Sequence, residues 1–532
     1  MSWRLLLAIV LPLHALTWWG WLGSHSAGFP LDDAWIHMVY ARALAALEGL
    51  HYNPGEAQTG VSAPLWTALL ALPVGIAERF GARPDLGVRL LASLVSVATA
   101  FAGARLAARA GRLAGLIAAI LLSVDPWMVF DRFAGMEAPL FALLLFGFVA
   151  ALADGRSARA GWLGGALLLT RPEAAVLVLA GAIWLQRRKL RVTLFLLPAL
   201  LPWALWALWC WQVSGRAWPS TFDSKLGLET DAAAHARVLA ALLSDLGWGL
   251  APLLLAPYGA WLLERNGNTR GSGLCLLGAA LLLVVGVLLS RGMQLGDDPA
   301  RVPYYWSRYA LLAWPLLLVL SSIGLAGQLR SASAGLRCKP VAGAFLIAPL
   351  ALTLVLARSL PAHALHLPAR FAAECAELEL LHVTAGHWID EHLPPDALVA
   401  THDAGALRYF GRRRVLDIWG NHAHELNRVH REARARDGDD VAQQAALRWL
   451  TRQQPDALVV FPMLFAVSQA SELDTLWRDG ELTRGEYDMR RAAGSDYAQL
   501  FGLTQRVATF HVDDPVIIPD PAHADLAVFV AP

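Results

Sequence analysis

Long apolar runs separated by short polar segments fill the first two thirds of the chain. A helix needs about 20 mostly apolar residues to cross the hydrocarbon core of a bilayer. Runs of that length, or nearly that length, lie at 4–23, 64–80, 87–104, 112–124, 138–153, 161–185, 192–213, 236–263, 272–290, 304–327 and 341–358. The pattern therefore predicts a polytopic α-helical membrane protein with about ten to twelve transmembrane helices.

Basic residues predict which helix ends face the cytoplasm, because loops rich in Lys and Arg stay inside. Such residues cluster at Arg4, 186–191, 264–270 and 330–339. The extracytoplasmic side then receives 24–63, a loop around 214–235, the loop 291–303 and everything after 359. Segment 63–105 does not fit this threading, since it requires an odd number of spans but contains two apolar runs.

One apolar run is interrupted by charge. Run 161–185 contains the sequence TRPE near its middle, with Arg171 and Glu173. Charged side chains in hydrocarbon are costly, and proline disfavours a continuous helix. We therefore expect two short helices whose turn approaches the outer face. The two charges mark either a binding site or a structural salt bridge, and the sequence favours neither.

The last third of the chain has a different composition. After residue 358 the charged residues become more frequent and the apolar runs become short, as in PDALVATHDAG, RRRVLDIWG, PDALVVFP and DLAVFVAP. Polar stretches with helical spacing, such as 423–453, separate these β-rich runs. We predict a transmembrane domain at 1–358 and a soluble extracytoplasmic α/β domain at 359–532.

Composition narrows the class of protein. Hydrophobic residues make up 56% of the 532 residues and charged residues only 16%, which is not typical of a soluble enzyme. The formal net charge is +1, so no overall positive field attracts nucleic acid. We expect membrane lipid, and no nucleic acid, among the partners.

Two adjacent acids stand out in FPLDDAWIHMVY, where the chain leaves the first apolar run. If a helix starts there, Asp33, His37 and Tyr40 share one of its faces at i, i+4 and i+7. Asp32 and Asp33 could simply cap that helix, but capping needs only one acid. We therefore expect at least one of the two acids to have a functional role.

Further polar residues lie in the predicted outer segments. Glu56 is in the turn-rich stretch HYNPGEAQTG, which by itself is equally well interpreted as a plain loop. The stretch DPWMVFDRFAGMEAPL places Asp125, Asp131, Arg132 and Glu137 at the end of two apolar runs. Ion pairing would explain some of these charges, and Glu137 is a candidate substrate contact.

Cations on the outer side are candidates for binding phosphate. Lys225 lies in PSTFDSKLG, and Arg308 and Tyr309 lie in PYYWSRYALL. Basic residues outside the cytoplasm go against the general bias, and they attract anionic headgroups or substrates. For Arg308, anchoring among aromatic residues at the membrane interface is the alternative interpretation.

Recognised enzyme motifs are lacking in the sequence. HAHEL at 422–426 would need a histidine at position 428 to form a zinc motif, and the residue there is Arg428. No GxSxG, P-loop or dinucleotide fingerprint occurs in a suitable context. The sequence predicts no metal ligands, although it leaves a divalent metal open as a cofactor.

Taken in order, several of these pieces resemble the GT-C superfamily of integral-membrane glycosyltransferases, in particular its bacterial arabinofuranosyltransferase-like and lipid A aminoarabinose transferase-like branch. The similar stretches are DDAWIHMVYARAL, YNPGE with SAPLW, GMEAPLFALLL, LTRPEA, PSTFDSKLG and SRYALLAWPLLL, and the tail PPDALVATHDAGALRYFGRRRVLDIWG. Asp223 in PSTFDSK and the GMEAP sequence depart from the commoner pattern of that superfamily.

The resemblance implies a multi-pass protein of the inner (plasma) membrane that transfers a sugar from a polyprenyl-phosphate donor to an envelope glycan, lipid or protein outside the cytoplasm. Asp32 or Asp33 would be the general base or would orient the acceptor. Arg308 and Lys225 would stabilise the lipid phosphate, and Arg171 and Glu137 would be second-tier site residues. His37, Tyr40, Glu56, Glu173 and Tyr309 complete the expected substrate-binding set.

Two other functions remain open at this point. Charges within apolar runs also suit a secondary transporter, although a large polar first loop and a soluble tail are not typical of one. A non-catalytic scaffold descended from a glycosyltransferase would keep the acids but would not bind lipid phosphate.

Overall fold

The computed structural model describes residues 2–22, 27–225, 250–265, 272–290, 312–335, 340–358, 360–437, 439–461, 501–503, 505–518 and 524–531. Up to residue 358 this part of the chain is almost entirely helical. The helices there are α1 (Trp3–Leu22), α2 (Asp32–Ala45), α3 (Pro64–Arg79), α4 (Asp85–Ala107), α5 (Arg112–Val124), α6 (Pro126–Phe133), α7 (Ala138–Ala153), α8 (Ser157–Leu168), α9 (Ala175–Arg187), α10 (Thr193–Ser214), α11 (Ser220–Lys225), α12 (Leu250–Arg265), α13 (Ser272–Ser290), α14 (Trp314–Gly335) and α15 (Pro340–Leu356). A small hairpin, β1 (His51–Asn53) and β2 (Glu56–Ala57), follows α2.

Several of these helices can cross a membrane. Within the described ranges, α1, α4, α10 and α14 are long and apolar enough, and α5 with α6 gives a fifth span if this bent pair counts as one. Most large side chains of α10 that point outward are apolar, among them Leu197, Leu205 and Trp211, as expected of a helix that faces lipid. The predicted polytopic helical membrane protein is confirmed. Of the two apolar runs within 63–105, only α4 has the length and hydropathy of a span.

Breaks in two apolar runs have local causes. Helices α5 and α6 meet at 50° where Asp125 precedes Pro126, and the Asp125 carboxylate accepts a hydrogen bond of 2.9 Å from the indole of Trp314. The run 161–185 separates into α8 and α9, as predicted. Arg171 is extended there (φ −153°, ψ 131°) because the following Pro172 disfavours a helical conformation at the residue before it.

A sheet-containing unit follows α15, as predicted. Its elements are α16 (Leu360–Leu378), a π-helical turn (Glu379–Val383), α17 (Thr384–His392), β3 (Leu398–Thr401), α18 (Ala406–Gly411), β4 (Arg414–Asp417), α19 (His424–Asp437), α20 (Asp439–Thr451), β5 (Ala457–Val460), β6 (Gln505–His511) and β7 (Asp525–Val530). The strand order is β4-β3-β5-β7-β6, with β4, β3 and β5 parallel and with β7 antiparallel to both of its neighbours. The four β-rich runs of the sequence form β3, β4, β5 and β7, and the polar stretch 423–453 forms α19 and α20.

Helix α2 lies between the transmembrane helices and this C-terminal unit. Its Trp35 is fully buried, with its ring 4.7 Å from the ring of Phe410 and 5.1 Å from that of Tyr409, both in α18. Side chains of α2, α3 and α4 share one hydrophobic core with the sheet. Helix α16 instead packs through Leu367 and Phe371 into the core of the transmembrane helices. The division at 358 and 359 stays a prediction.

Candidate active site

Asp32, at the start of α2, contacts the C-terminal unit. Its Oδ2 accepts a hydrogen bond from the backbone N–H of Gly405, and its Oδ1 accepts one from that of Ala406, both at 2.7 Å. These amides begin α18, so the carboxylate of Asp32 caps a helix distant in sequence. Helix α2 itself has Leu31 at its N-cap and no side-chain cap, so the interpretation of Asp32 as the N-cap of α2 is wrong.

The electrostatic environment of Asp32 favours its protonated form. Burial, followed by the negative charge of Asp403, raises the pKa of Asp32 to about 6, while His382 and the two backbone amides act in the opposite direction. Removing a carboxylate from water and placing it near a second one both favour the neutral acid.

Asp33 lies on a different face of α2. It is half-buried and follows Asp32 directly, and it shares the face of His37, one helical turn further along. The His37 ring is 3% exposed; its Nδ1 is 2.8 Å from the hydroxyl of Thr67, and its Nε2 is 3.7 Å from Oε2 of Glu137. The face of α2 that carries Asp33 is thus the face that meets the charged residues of the membrane part.

Four of the predicted site residues form one buried cluster: His37, Glu137, Arg171 and Glu173. The guanidinium of Arg171 donates to Glu137 Oε1 at 2.5 Å and to Glu173 Oε1 at 3.0 Å. The side chains of all four are at least nine-tenths buried. A guanidinium held between two carboxylates compensates for part of the cost of removing three charges from water. We call these four residues the charge cluster.

The local sequence explains how separate elements meet in the charge cluster. Glu137 comes just before α7, after a turn at Gly135 whose φ of +76° suits glycine. Arg171 and Glu173 lie in the break between α8 and α9. Prolines and glycines that interrupt the apolar runs therefore place charged side chains at one level of the helix bundle.

The two carboxylate oxygens of Glu137 differ in their contacts, because Arg171 binds Oε1 and not Oε2. Among the described residues Oε2 has no hydrogen-bond partner although it is buried, and Nε2 of His37 lies 3.7 Å from it. Asp131 of α6, which is 8% exposed, lies within electrostatic reach of Glu137 and Arg171 and lines a small cleft with Ser96 and Pro139. The sequence indicated Asp131 only as one of several charges in its stretch. Asp131 comes near Glu137 because the chain bends between α5 and α6, and the sequence alone does not show this bend.

Tyr40 and Glu56 contact the C-terminal unit and not the charge cluster. The Tyr40 hydroxyl is 3.1 Å from Nδ1 of His422, and the imidazole of His422 stacks on Tyr52 with ring centroids 4.3 Å apart. Burial raises the pKa of Tyr40, which keeps its hydroxyl protonated. Glu56 pairs with Arg414 at the start of β4. These contacts hold the first outer loop against the sheet.

Three predicted substrate-binding residues lie wholly or partly outside the described residues. The backbone of α11 ends at Lys225, but the side chain of Lys225 and the whole of Arg308 and Tyr309 lie outside the described residues. The phosphate-binding role expected of these residues stays a prediction. In the part of the chain that the structure covers, no three His, Cys, Asp or Glu side chains are arranged to hold a metal ion. The divalent metal that the sequence leaves open as a cofactor stays a prediction.

One titratable group at the interface was not selected from the sequence. Asp403, just after β3, binds His382 at 2.8 Å and His402 at 3.0 Å, in each case through Nε2 and its own Oδ2. Burial alone would raise the pKa of Asp403, but the two imidazoles hold it well below its usual range. Burial lowers the pKa of His382, yet the hydrogen bond and charge of Asp403 outweigh this effect and raise it. The THD sequence at the carboxyl end of a predicted strand was the available signal.

Two solved structures are similar to the chain over nearly its whole length. The crystal structure of ArnT from Cupriavidus metallidurans bound to undecaprenyl phosphate is 14% identical, with a TM-score of 0.53 over 99% of this chain and 97% of that one. ArnT from the same organism in the apo state is 17% identical, with a TM-score of 0.52 over 90% and 94%. ArnT, a lipid A aminoarabinose transferase, is a GT-C glycosyltransferase. The chain has the GT-C fold.

Comparison of sequences identifies a family model for the C-terminal unit. A family model described as a domain of unknown function, DUF8728, matches residues 373–513, which begin in α16 and include the parallel strands of the GT-C protein's C-terminal unit. A comparison with curated protein sequences finds no match. The similarity to the two ArnT structures confirms the predicted resemblance to the GT-C superfamily at the level of the fold.

Proposed function

We propose that this GT-C protein is a glycosyltransferase. It moves a sugar from a polyprenyl-phosphate donor to an envelope glycan, lipid or protein on the extracytoplasmic side of the inner (plasma) membrane. The observation that carries the proposal is the charge cluster, which three separate segments assemble and to which α2, the helix that bears Asp33, contributes His37. The crystal structure of ArnT bound to undecaprenyl phosphate, which shares this fold, supports the lipid-linked donor.

Asp33 acts as the general base in this proposal. An acceptor hydroxyl that attacks the anomeric carbon must lose its proton, and a carboxylate within hydrogen-bond reach can take it. Asp32 is less suited to this role, because both of its oxygens already accept hydrogen bonds from backbone amides of α18. We therefore assign Asp32 to positioning α2 against the C-terminal unit.

The charge cluster stabilises the sugar as the bond to the lipid phosphate breaks. Glycosyl transfer builds positive charge on the sugar ring, and carboxylates such as Glu137 and Glu173 are suited to face that charge. Arg171 fixes the two carboxylates through its paired hydrogen bonds. Negative charge develops on the departing phosphate, and Lys225 and Arg308 are the cations proposed to bind it.

Transfer from a panel of donors tests the proposal. Purified protein is supplied with radiolabelled sugars on polyprenyl phosphate and with crude envelope acceptors, and undecaprenyl phosphate binding is measured in parallel. We expect label to move from one donor of the panel. Folded protein that transfers from none of them and does not bind undecaprenyl phosphate would refute the proposal and would favour a transporter or a scaffold.

A further inference from the structure

Exposed cations collect at the end of the helix bundle that lies opposite the C-terminal unit. Helix α4 shows the direction, because Asp85 in its first turn pairs with Arg83, which also binds Glu379 of the π-helical turn. Arg105, in the last turn of α4, is exposed and lies about 30 Å further along the helix axis, at about 1.5 Å per residue. That length matches the thickness of the hydrocarbon core. Arg105 therefore lies at the headgroup level of the far leaflet.

Two further segments meet the end of α4 at this level. Arg109 pairs with Asp154, just after α7, at 2.9 Å. A Cβ atom at Gly155 would lie 3.4 Å from Leu190, which comes after α9. The contacts therefore join three segments of the chain into one surface: 105–112, 154–159 and 187–191.

Helix α14 adds a cation at the same end of the bundle. Trp314, at the start of α14, binds Asp125 at the end of α5. Arg330, near the end of α14, lies over Gly111, just before α5: its guanidinium nitrogens are 3.6 Å and 3.8 Å from the position that a Cβ of Gly111 would take. The two helices are therefore antiparallel, and Arg330 lies near Arg112, the first residue of α5.

Basic residues dominate the surface that these elements form. Segment 105–112 contains three arginines and no acid, segment 154–159 contains two arginines and Asp154, and segment 187–191 contains four Lys or Arg among five residues. All of these charged residues are exposed, as is Arg330. We call the charged residues of the three segments, together with Arg330, the basic surface.

Carboxylates neutralise little of the basic surface. In the described part of the chain, Asp154 is the one acid within its three segments, and it pairs with Arg109. Glu264 of α12 lies nearby, since Glu264 and Arg188 both act electrostatically on Cys275. The whole chain has a net charge of only +1, so the excess of positive charge is local.

We infer that the basic surface binds the phosphodiester headgroups of anionic phospholipids in the leaflet opposite the C-terminal unit. This inference goes beyond the proposed function and does not depend on it. Each Lys or Arg near an anionic membrane surface strengthens binding about fivefold. Arginine suits this role because its planar guanidinium can donate two parallel hydrogen bonds to one phosphate group.

The level of the basic surface favours lipid over a soluble partner. Helices α8 and α9 lead from the charge cluster to this surface, and they have only 12 and 13 residues. Each is about 18–20 Å long, which is less than the hydrocarbon core of about 30 Å. Their basic ends would project beyond the headgroups only if the charge cluster lay near the middle of the membrane. Helix α2 opposes that position, because it contributes His37 to the charge cluster and binds the C-terminal unit through Asp32.

Competition between two lipids tests this inference. The full chain is purified in detergent micelles that contain equal amounts of phosphatidylglycerol and phosphatidylcholine, and native mass spectrometry measures how much of each lipid the protein retains. The wild type should prefer phosphatidylglycerol, and the preference should fall as salt is added. A triple variant, Arg105→Gln with Arg112→Gln and Arg330→Gln, removes three exposed cations and should lower the preference by about tenfold or more.

Two matched variants are the controls. The first combines Arg428→Gln, Arg436→Gln and Arg452→Gln, which removes the same charge from exposed positions of the C-terminal unit, and it should keep the preference of the wild type. The second carries lysine instead of glutamine at the three positions of the test variant, and it should keep most of the preference because the charge is retained. Melting temperatures check that all variants are folded.

Three results would overturn the inference: equal retention of the two lipids by the wild type, an unchanged preference in the triple glutamine variant, or an equal loss in the C-terminal control. Inorganic phosphate in large excess separates a lipid headgroup from a free ion as the occupant. It should leave most of the preference intact, because acyl chains also hold the lipid. Complete loss of the preference would mean that the basic surface binds free phosphate, and the inference would be wrong.

Discussion

The carboxylate of Asp32 lies 2.7 Å from the backbone nitrogen of Gly405, although 373 residues separate them in the sequence. This contact joins the first outer loop to the C-terminal unit at the start of α18. It also distinguishes two adjacent acids, because Asp32 contacts the start of α18 while Asp33 shares the face of α2 that carries His37 of the charge cluster.

Gly405→Ala should disturb the contact between α2 and α18. A Cβ atom at this position would lie 2.2 Å from the backbone oxygen of Asp32 and 2.6 Å from its Oδ1, and the backbone cannot move aside as a flexible side chain could. We expect faster hydrogen exchange in 405–411 and a lower melting temperature. Gly278→Ala is the control, since nothing lies within 4 Å of a Cβ there. Unchanged exchange in Gly405→Ala would contradict the described contact.

Arg171→Met should destabilise the protein strongly. The substitution leaves Glu137 and Glu173 buried without their cation, a change that costs about 3–5 kcal/mol in comparable sites. The measurement is the midpoint of thermal unfolding in detergent. Replacing Glu137 by Gln in the same chain should restore part of the loss, because one of the unpaired charges is then removed.

The control for Arg171→Met is Arg109→Met. Arg109 also pairs with a carboxylate, that of Asp154, but both side chains are about one third exposed. Exposed pairs contribute about 0–1 kcal/mol, so this variant should melt close to the wild type. Equal melting temperatures for the two methionine variants would show that the charge cluster does not stabilise the fold.

Stability of the interface should decrease as pH rises, up to about pH 6 through Asp32 and above pH 6.5 through His382. The folded-state pKa of Asp32 is raised to about 6 and that of His382 is raised above 6.5. A raised pKa in the folded state contributes stability that is complete below the unfolded pKa and is lost as pH rises through the folded value. Asp403 has a lowered pKa, so its contribution is lost only in acid, below this window.

Thermal unfolding of the wild type and of His382→Gln between pH 5.5 and pH 8.5 checks this prediction. The wild type should lose melting temperature toward high pH, and the variant should lose less, because its neutral amide does not titrate. Parallel curves for the two proteins would show that His382 does not carry the pH dependence.

Much of the fold was predictable from local patterns. Apolar length predicted the membrane helices, and short β-rich runs predicted β3, β4, β5 and β7. Proline explained the break at TRPE, since Arg171 must be extended before Pro172. The strand β6 was not predicted, because its sequence QRVATFH has no clear alternation and much of it is solvent-exposed at the edge of the sheet.

The site was predictable only in part. Charges within or at the ends of apolar runs indicated Glu137, Arg171 and Glu173, because hydrocarbon makes an unpaired charge costly. Tyr40 shares the spacing of Asp33 and His37 on α2, yet it contacts His422. Sequence spacing on one helix does not reveal which partner a side chain meets.

The most direct test compares Asp33→Asn with Asp32→Asn in transfer from the donor that the panel identifies. Both variants should bind undecaprenyl phosphate and melt as folded proteins. We expect Asp33→Asn to lose about 10²–10⁴-fold in kcat, as on removal of a general base, and Asp32→Asn to lose less than about tenfold. Full activity in Asp33→Asn, or a greater loss in Asp32→Asn, would contradict the assignment of Asp33 as the base.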